Sequence, residues 1–410
     1  MIVINGRYTN AAVYCDNISE SAYKQLHRLC DHPMFGAAVI KVMPDCHAGK
    51  GCVIGFTSIS SEKIIVPNLV GVDIGCGVLT TLFDTETLPD FHALDRFIRD
   101  NIPSGMDIRE TPCSLMSETG RLRESVEYIC RIIHKEDRFD TFLNSMGTLG
   151  GGNHFIEIDR VSENRYMLAV HTGSRSLGNY ICRYFQSKGS LIDERMKRML
   201  VEKHRAARSA EEHRLIQQEI ENLPKVEADA TYITGALYDS YIECMLLAEE
   251  YAAENRRCIS EEIMRYLIGA ENVRINESFD TVHNYVDWYD PEHTSVIIRK
   301  GAISAESGQK LCIPLNMRDG IIVGTGKGND EWNRSAPHGA GRVMSRSAAR
   351  SSLSLEEYEK SMEGVSTWSV NESTIDEAPW VYKPPEEIIG NISETVDIDF
   401  IAETLYNFKA

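Results

Sequence analysis

Five short segments of this sequence carry side chains able to hold a metal ion or a phosphate, four of them close to glycine. In Gly71-Val72-Asp73-Ile74-Gly75-Cys76-Gly77, a carboxylate and a thiol fall three residues apart in a flexible turn that ends an apolar strand. They can reach one ion or share two. In Gly150-Gly151-Gly152-Asn153-His154-Phe155-Ile156-Glu157, three glycines let the backbone approach a ligand closely, and polar Asn153, His154 and Glu157 follow at once. Ala169-Val170-His171-Thr172-Gly173-Ser174-Arg175 ends a strand on a histidine and continues with hydroxyls, glycine and an arginine, as a phosphate-binding loop requires. His283 lies in Val282-His283-Asn284-Tyr285, and His338 in Ser335-Ala336-Pro337-His338-Gly339-Ala340-Gly341-Arg342.

Taken singly, each segment has a bland reading. A histidine at a strand end is more often hydrogen-bonded framework than ligand, and an isolated Asp-x-x-Cys carries little. The coincidence carries the weight. Of 12 histidines, His154, His171, His283 and His338 sit in polar contexts that a core does not need, glycine-containing in all but His283, while His27, His92, His134, His204, His213 and His293 have ordinary helical or charged surroundings. Cysteine and histidine together point to zinc. One Asp, one Cys and three His can instead hold a pair of ions with the thiolate between them, which would activate a nucleophile and neutralise phosphate charge. His338 is either a further ligand or a nucleophile attacking a phosphoryl group, with Arg342 on the phosphate oxygens if a helix begins near Gly339.

The elements that must position these groups follow from periodicity. Residues 37–85 alternate apolar runs with glycine-rich turns and read as strands feeding loops. Residues 88–144 read as largely helical, TLGGGNHFIEID as a glycine loop entering a strand, and MLAVHTGSRSLG as a buried strand ending in a polar loop. Residues 180–268, rich in Glu, Lys, Arg, Ala and Leu, read as a helical insertion whose charged first half projects as a hairpin. Strand and turn return over 294–326, and the tail from Leu355 reads as helical and mixed. Nothing resembles a linker. The expectation is one α/β domain over 1–410, with a central β-sheet core and 180–268 as an insertion within it.

Composition sets the outer bounds. With 42% hydrophobic and 25% charged residues, the chain has the balance of a soluble globular protein. No apolar run approaches the roughly 20 residues of a membrane span. The first residues lack the basic start and apolar stretch of a secretory signal. The eleven cysteines include no C-x-x-C pair and read as reduced thiols of a cytoplasmic protein. A net charge of −18 argues against indiscriminate nucleic-acid binding. Residues 299–350 depart from it, with nine basic against four acidic side chains, a local strip suited to a discrete phosphate site.

Met43-Pro44-Asp45-Cys46-His47-Ala48-Gly49-Lys50-Gly51, the Gly71–Gly77 segment, GGGNHFIEI, VHTGSRSLG, HNYV, RKGAIS and PHGAGRVMSR occur in this order. Together they resemble the RtcB family of RNA-splicing ligases over nearly the whole chain. The resemblance implies two manganese ions, in place of zinc, on Asp73, Cys76, His154, His171 and His283. It implies His338 as the histidine that takes up GMP. Asn153, Phe155, Glu157 and Lys409 would hold the guanine nucleotide, with Arg175 and Arg342 near the phosphates. The implied activity is GTP-dependent joining of RNA 3′-phosphate or 2′,3′-cyclic phosphate ends to 5′-hydroxyl ends, in RNA repair or tRNA splicing. It would pass through guanylylated histidine and an RNA-pp-G intermediate, with an archease-like protein as a candidate activator. Between RKGA and H-G-A-G-R the chain lacks the serine-rich loop of many relatives, and residues 314–334 look like a shorter bacterial subgroup. The competing reading is a metal-dependent RNA phosphodiesterase or nuclease, which would use the same ions to activate water. It would need neither a nucleophilic His338 nor Lys409 near a base.

Overall fold

The computed structural model describes residues 1–116, 119–192, 194–270 and 272–410. Two sheets carry the fold. The first runs β1 (Ile2–Asn5), β2 (Asn10–Val13), β3 (Val39–His47), β4 (Ile54–Ser60), β12 (Val296–Lys300), β11 (Asn284–Trp288), and all neighbours are antiparallel except β2 and β3. The second is fully antiparallel in the order β10 (Arg274–Val282), β6 (Gly77–Asp84), β8 (Arg165–Thr172), β7 (Phe155–Ser162), β17 (Val396–Phe408), β15 (Gly320–Gly326), β14 (Lys310–Asn316). Its outer strands meet, since Cys312 N on β14 donates to Thr281 Oγ1 on β10 at 3.2 Å. The sheet therefore curls nearly closed. Two short pairs, β5 (Ile64–Ile65) with β9 (Ile233–Thr234) and β13 (Ala302–Ser304) with β16 (Ser335–Pro337), pin loops to this frame.

The apolar run of β8 shows why the sheet needs cover on both faces. Strand alternation sends Tyr166, Leu168 and Val170 to one side, where they pack with Ile259, Ile263 and Leu267 of the 35-residue helix Ala236–Ala270. Met167 and Ala169 point into the curl, against Cys312, Ile321, Val323 and Ala402.

The section 180–268 is not uniform. Glu194–Ala206 and Ala210–Glu221 form a largely exposed helix pair, the second capped by a reciprocal Ser209–Glu212 box. The flanking helices Arg175–Lys188 and Ala236–Ala270 belong to the core. Three local expectations give way. The apolar segment before Asp73 is a one-turn helix, Pro67–Val70, because Pro67 is preset for a first helical position. No helix begins at Gly339; the next one starts at Arg346. The tail ends in a thirteen-residue strand, β17, inserted between β7 and β15. Its outer half is largely exposed on both faces, so the periodicity of a buried strand shows only over Ala402–Phe408. Among the described residues no helix is long and apolar enough to cross a membrane.

Because β17 is central, its last apolar side chain matters. Phe408 is buried among Ile156, Tyr406 and their neighbours, with the Arg99 guanidinium over its ring. Phe408→Ala is expected to cost about 3–5 kcal/mol of unfolding free energy, read from urea denaturation; a loss under 1 kcal/mol would show that β17 is not held by this packing.

Candidate functional site

Sheet register brings the ligand-type residues together. Gly77 pairs with Val282 on one side and Thr172 on the other, and His171 pairs with Val78 and with Phe155. Cys76, His154, His171 and His283 therefore end up at one rim of the second sheet. Cys76 precedes β6, His154 precedes β7, His171 lies in the end of β8, and His283 is the single residue between β10 and β11, where the chain crosses from one sheet to the other. Asp73 reaches the same rim from the loop 71–76, shaped by Gly71 and Gly75 at positive φ. A side chain at Gly75 would lie 2.8 Å from the backbone of Glu249, so the loop can only sit flush on the long helix as glycine.

The donor chemistry at the rim calls for a cation. Nδ1 of His154 lies 2.8 Å from the Leu149 carbonyl, and Nδ1 of His171 lies 3.1 Å from the Asn153 carbonyl. Both nitrogens must donate there, which leaves each Nε2 as a lone pair. The His154 lone pair faces Asp73 Oδ2 at 2.9 Å and Cys76 Sγ at 3.5 Å; that of His171 faces Cys76 Sγ at 3.4 Å. Acceptors that point at one another need a positive charge between them. Two triads fit this demand, Asp73 with Cys76 and His154, and Cys76 with His171 and His283, and Cys76 belongs to both. Burial, with neighbouring imidazoles, holds His171 and His283 well below the usual histidine range, so both rings are neutral and able to offer a lone pair to a cation. Burial and Asp73 push the Cys76 thiol up, and a bound cation would reverse this.

The long helix clamps this rim. Its Asn255 accepts from Gly147 N at 2.7 Å and Thr148 N at 3.1 Å and donates to the Thr148 and Gly173 carbonyls. Arg256, wholly buried, forms a two-pronged pair with Asp280 at 2.8 and 2.6 Å and donates to the Gly75 and Thr172 carbonyls. Asn284 Nδ2 donates to the Asp73 carbonyl at 3.1 Å, and Asn284 Oδ1 accepts from Gly301 N.

His338 follows β16, and its ring stands 4.8 Å from that of His283. Asp45 Oδ2 accepts from both His338 N (3.2 Å) and His338 Nδ1 (2.5 Å). Nδ1 is thus the protonated nitrogen and Nε2 is a free lone pair. Asp45 is wholly buried, and glycines flank it. Added side chains at Gly55 and Gly341 would lie 2.6 Å from its Oδ1 and 2.3 Å from its carbonyl.

A cavity of about 610 Å³ connects these groups. Asp73, Cys76, His171 and His283 face it, as do His338 and Arg342, and so do Asn153, Phe155, Glu157 and Lys409. His154 lies behind Asp73 and Cys76. Arg175 does not face the cavity; in left-handed conformation, it donates to Thr148 Oγ1 and the Gly105 carbonyl and packs under Gly150. Lys409 does not depend on a nucleotide for its order. It lies at the end of β17, its N–H donating to Ser369 Oγ and its Nζ 2.7 Å from Glu377, over the Phe155 ring. Buried Asp376 and Glu377 gather Arg342, Arg346, Arg350 and Lys409 around them, four cations on two carboxylates. This surplus of positive charge borders the cavity, and three of its four cations, Arg342, Arg346 and Arg350, come from the basic strip seen in sequence.

Sequence reasoning passed over Asp45, Asn255, Arg256 and Glu377. Asp45 lies within a quoted motif without a role. Asn255 and Arg256 had a signal, because they interrupt the core-facing spacing Ala252, Ile259, Ile263 of an otherwise apolar face. Glu377 had none.

A family model described as tRNA-splicing ligase RtcB matches residues 25–409. RNA-splicing ligase RtcB of Escherichia coli (strain K12) is 32% identical over 386 residues, covering 88% of this chain and 87% of that protein. The tRNA-splicing ligase RtcB of Pyrobaculum aerophilum is 28% identical over 425 residues (85% and 82%), and RNA-splicing ligase RtcB homolog 2 of Entamoeba dispar is 24% identical over 504 residues (99% and 89%).

The Glu377 cluster has a measurable signature. Burial raises this carboxyl, but Lys409 and Arg346, with hydrogen bonds from Lys409 and Tyr382, outweigh it and hold the pKa at about 2. A depressed carboxylate stabilises the fold above its unfolded value, and that contribution is lost as pH falls from about 4.5 toward about 2. Glu377→Gln is expected to lower stability at neutral pH by roughly 3 kcal/mol and to flatten its loss over that acid window, as measured by urea titrations across pH. Parallel wild-type and variant curves would refute the assignment.

Proposed function

Since the chain belongs to the RtcB family, we propose that it is a GTP- and manganese-dependent RNA ligase. It would join a 3′-phosphate or 2′,3′-cyclic phosphate end to a 5′-hydroxyl end through a guanylylated His338, the whole chain acting as one ligase domain. The observation that carries this reading is the pair His338–Asp45 beside the shared thiolate of Cys76. An imidazole fixed through Nδ1, with Nε2 free and facing a cavity next to a built cation site, is a nucleophile in waiting. A phosphodiesterase would have no use for it.

Asp73, Cys76, His154, His171 and His283 would hold the ions. When bound, the ions supply charge neutralisation at the reacting phosphates. The chain's own residues do the rest. A terminal phosphate is a poor electrophile, because displacement must expel oxide; coupling to GMP makes that oxygen a good leaving group. His338 Nε2 attacks the α-phosphorus of GTP, forming an N–P bond as pyrophosphate departs. Positive charge grows on the ring, and Asp45, already accepting from Nδ1–H, offsets it. The guanylyl group passes to the RNA 3′-phosphate, reached from a cyclic end by hydrolysis. The 5′-hydroxyl then attacks that phosphate and GMP leaves. Asn153, Phe155, Glu157 and Lys409 would receive the guanine, and Arg342 with its neighbouring cations the phosphates. Arg175 is better suited to hold the glycine loop than to touch phosphate.

Two variants test the division of labour. Cys76→Ala is expected to lose bound manganese and both guanylylation and ligation, because the thiolate serves both triads; near-normal guanylylation by the folded variant would sink the two-ion assignment. His338→Ala is expected to keep its metal, by elemental analysis, and to retain no label from α-labelled GTP. It should still join an RNA whose 3′-phosphate already carries GMP. Failure of that last reaction at full metal occupancy would mean that His338 does more than carry the nucleotide.

A further inference from the structure

β7 carries a second carboxyl two residues beyond Glu157, and alternation puts both on the face that lines the curl of the second sheet. Asp159 lies opposite Met167 on β8 and Thr404 on β17, deep among the apolar side chains that fill the curl. It is wholly buried, and neither of its oxygens has a hydrogen-bond donor among the described residues. A bare carboxylate there would be unsupported on all sides, which buried charges do not tolerate. Glu157 is treated quite differently. Thr404 Oγ1, reaching across from the residue opposite Asp159, donates to Glu157 Oε1 at 3.1 Å, and Asn407 Nδ2 donates to Oε2. Glu157 also faces the cavity, and Asp159 does not.

We propose that Asp159 keeps a proton and donates it as a hydrogen bond to Glu157, so that Glu157 meets the cavity as an ionised, fixed acceptor that selects guanine. The proposal rests on the reading of the Asn153, Phe155, Glu157 and Lys409 end as a guanine site. Two adjacent carboxyls in an apolar interior cannot both ionise, so one proton is shared, and the donors around Glu157 decide which of them holds it. Burial raises both groups. Asp159 goes well above the carboxylate range, with the Glu157 charge adding to the effect, whereas the bonds from Asn407 and Thr404 and the charge of Lys409 pull Glu157 back. Guanine presents two N–H donors on the edge where adenine presents an acceptor. An ionised Glu157 therefore accepts from guanine and repels adenine. If Glu157 held the proton instead, it would meet guanine as a neutral carboxyl, a weaker acceptor, and the discrimination would fade. Asp159 touches no substrate; it is a positioning residue.

The test compares Asp159→Asn, whose amide can still donate, with Asp159→Leu, which has the same shape and no donor, in the metal-loaded full chain. Asp159→Asn should retain most of the wild-type KM for GTP and its preference over ATP. Asp159→Leu should raise that KM about tenfold to a hundredfold and erode the preference, with kcat for guanylylation and joining of pre-activated RNA little changed. Equal behaviour of the two variants overturns the proposal. Glu157→Gln, measured alongside, separates the layers. If it leaves GTP use and base preference intact, the guanine reading falls and takes this one with it. If it abolishes them while folded Asp159→Leu does not, only the role of Asp159 falls. A measurement independent of folding variants completes the test. The infrared spectrum at neutral pH should contain a buried carboxylic-acid carbonyl band that vanishes in Asp159→Asn, and its absence from the wild type would also refute the proposal.

Discussion

One guanidinium holds the ligand rim in register. Arg256 is wholly buried, and a charge so placed is tolerable only if every donor is used. Two of its prongs take Asp280 on β10, and the others take carbonyls from the Asp73–Cys76 loop and from the end of β8. Three segments distant in sequence are thereby held at fixed spacing to one rigid helix. Asn255, its neighbour, does the same for the turn that leads into the glycine loop. Four of the five candidate ligand side chains sit on loops and His171 at a strand end, but carbonyls behind them are bonded to a helix more than thirty residues long. Such a frame keeps mutually facing acceptors from relaxing apart when no cation relieves them.

The same logic of enforced closeness recurs at His338. Asp45 is held between Gly55 and Gly341, where any side chain would collide with it. Its one well-used oxygen takes both the backbone and the ring of His338. The ring cannot rotate without breaking its bond to Asp45. His338 and the candidate ion ligands therefore belong to one solid block, built from the ends of β6, β8 and β16 and the crossing at His283.

What was legible in the sequence was the chemistry at the surface of this block. Asp73, Cys76, His154 and His171, close to glycine, declare themselves because glycine and polar residues are out of place in a buried strand end; His283 stands without glycine, and the structure gathers all five at one rim. The strands around them were readable from apolar runs bounded by glycine-rich turns. Asp45, Asn255, Arg256 and Glu377 were not, because a second layer is defined by what it touches and local pattern does not record long-range partners. The β17 tail escaped for a related reason. Half of it lies at an exposed stretch, so its alternation fades where a strand would be recognised. Arg175 shows the converse limit: an arginine in a phosphate-loop pattern can equally spend its donors on the loop itself.

The placement of β17 also bears on how the molecule comes to be folded. β7 and β15 are separated by this strand, so until residues 396–408 arrive, each presents an unsatisfied edge to whatever is near. Ile156 must wait for Phe408, across most of the chain. Pairings of such long range are slow to form, and open strand edges invite mispairing in the interval. The curl closes only when its seventh strand threads into the gap. The end of the cavity that contains Glu157 and Lys409 is therefore among the last regions of the molecule to acquire its shape, and a folding intermediate can present a finished cysteine–histidine rim with that end of the cavity still open.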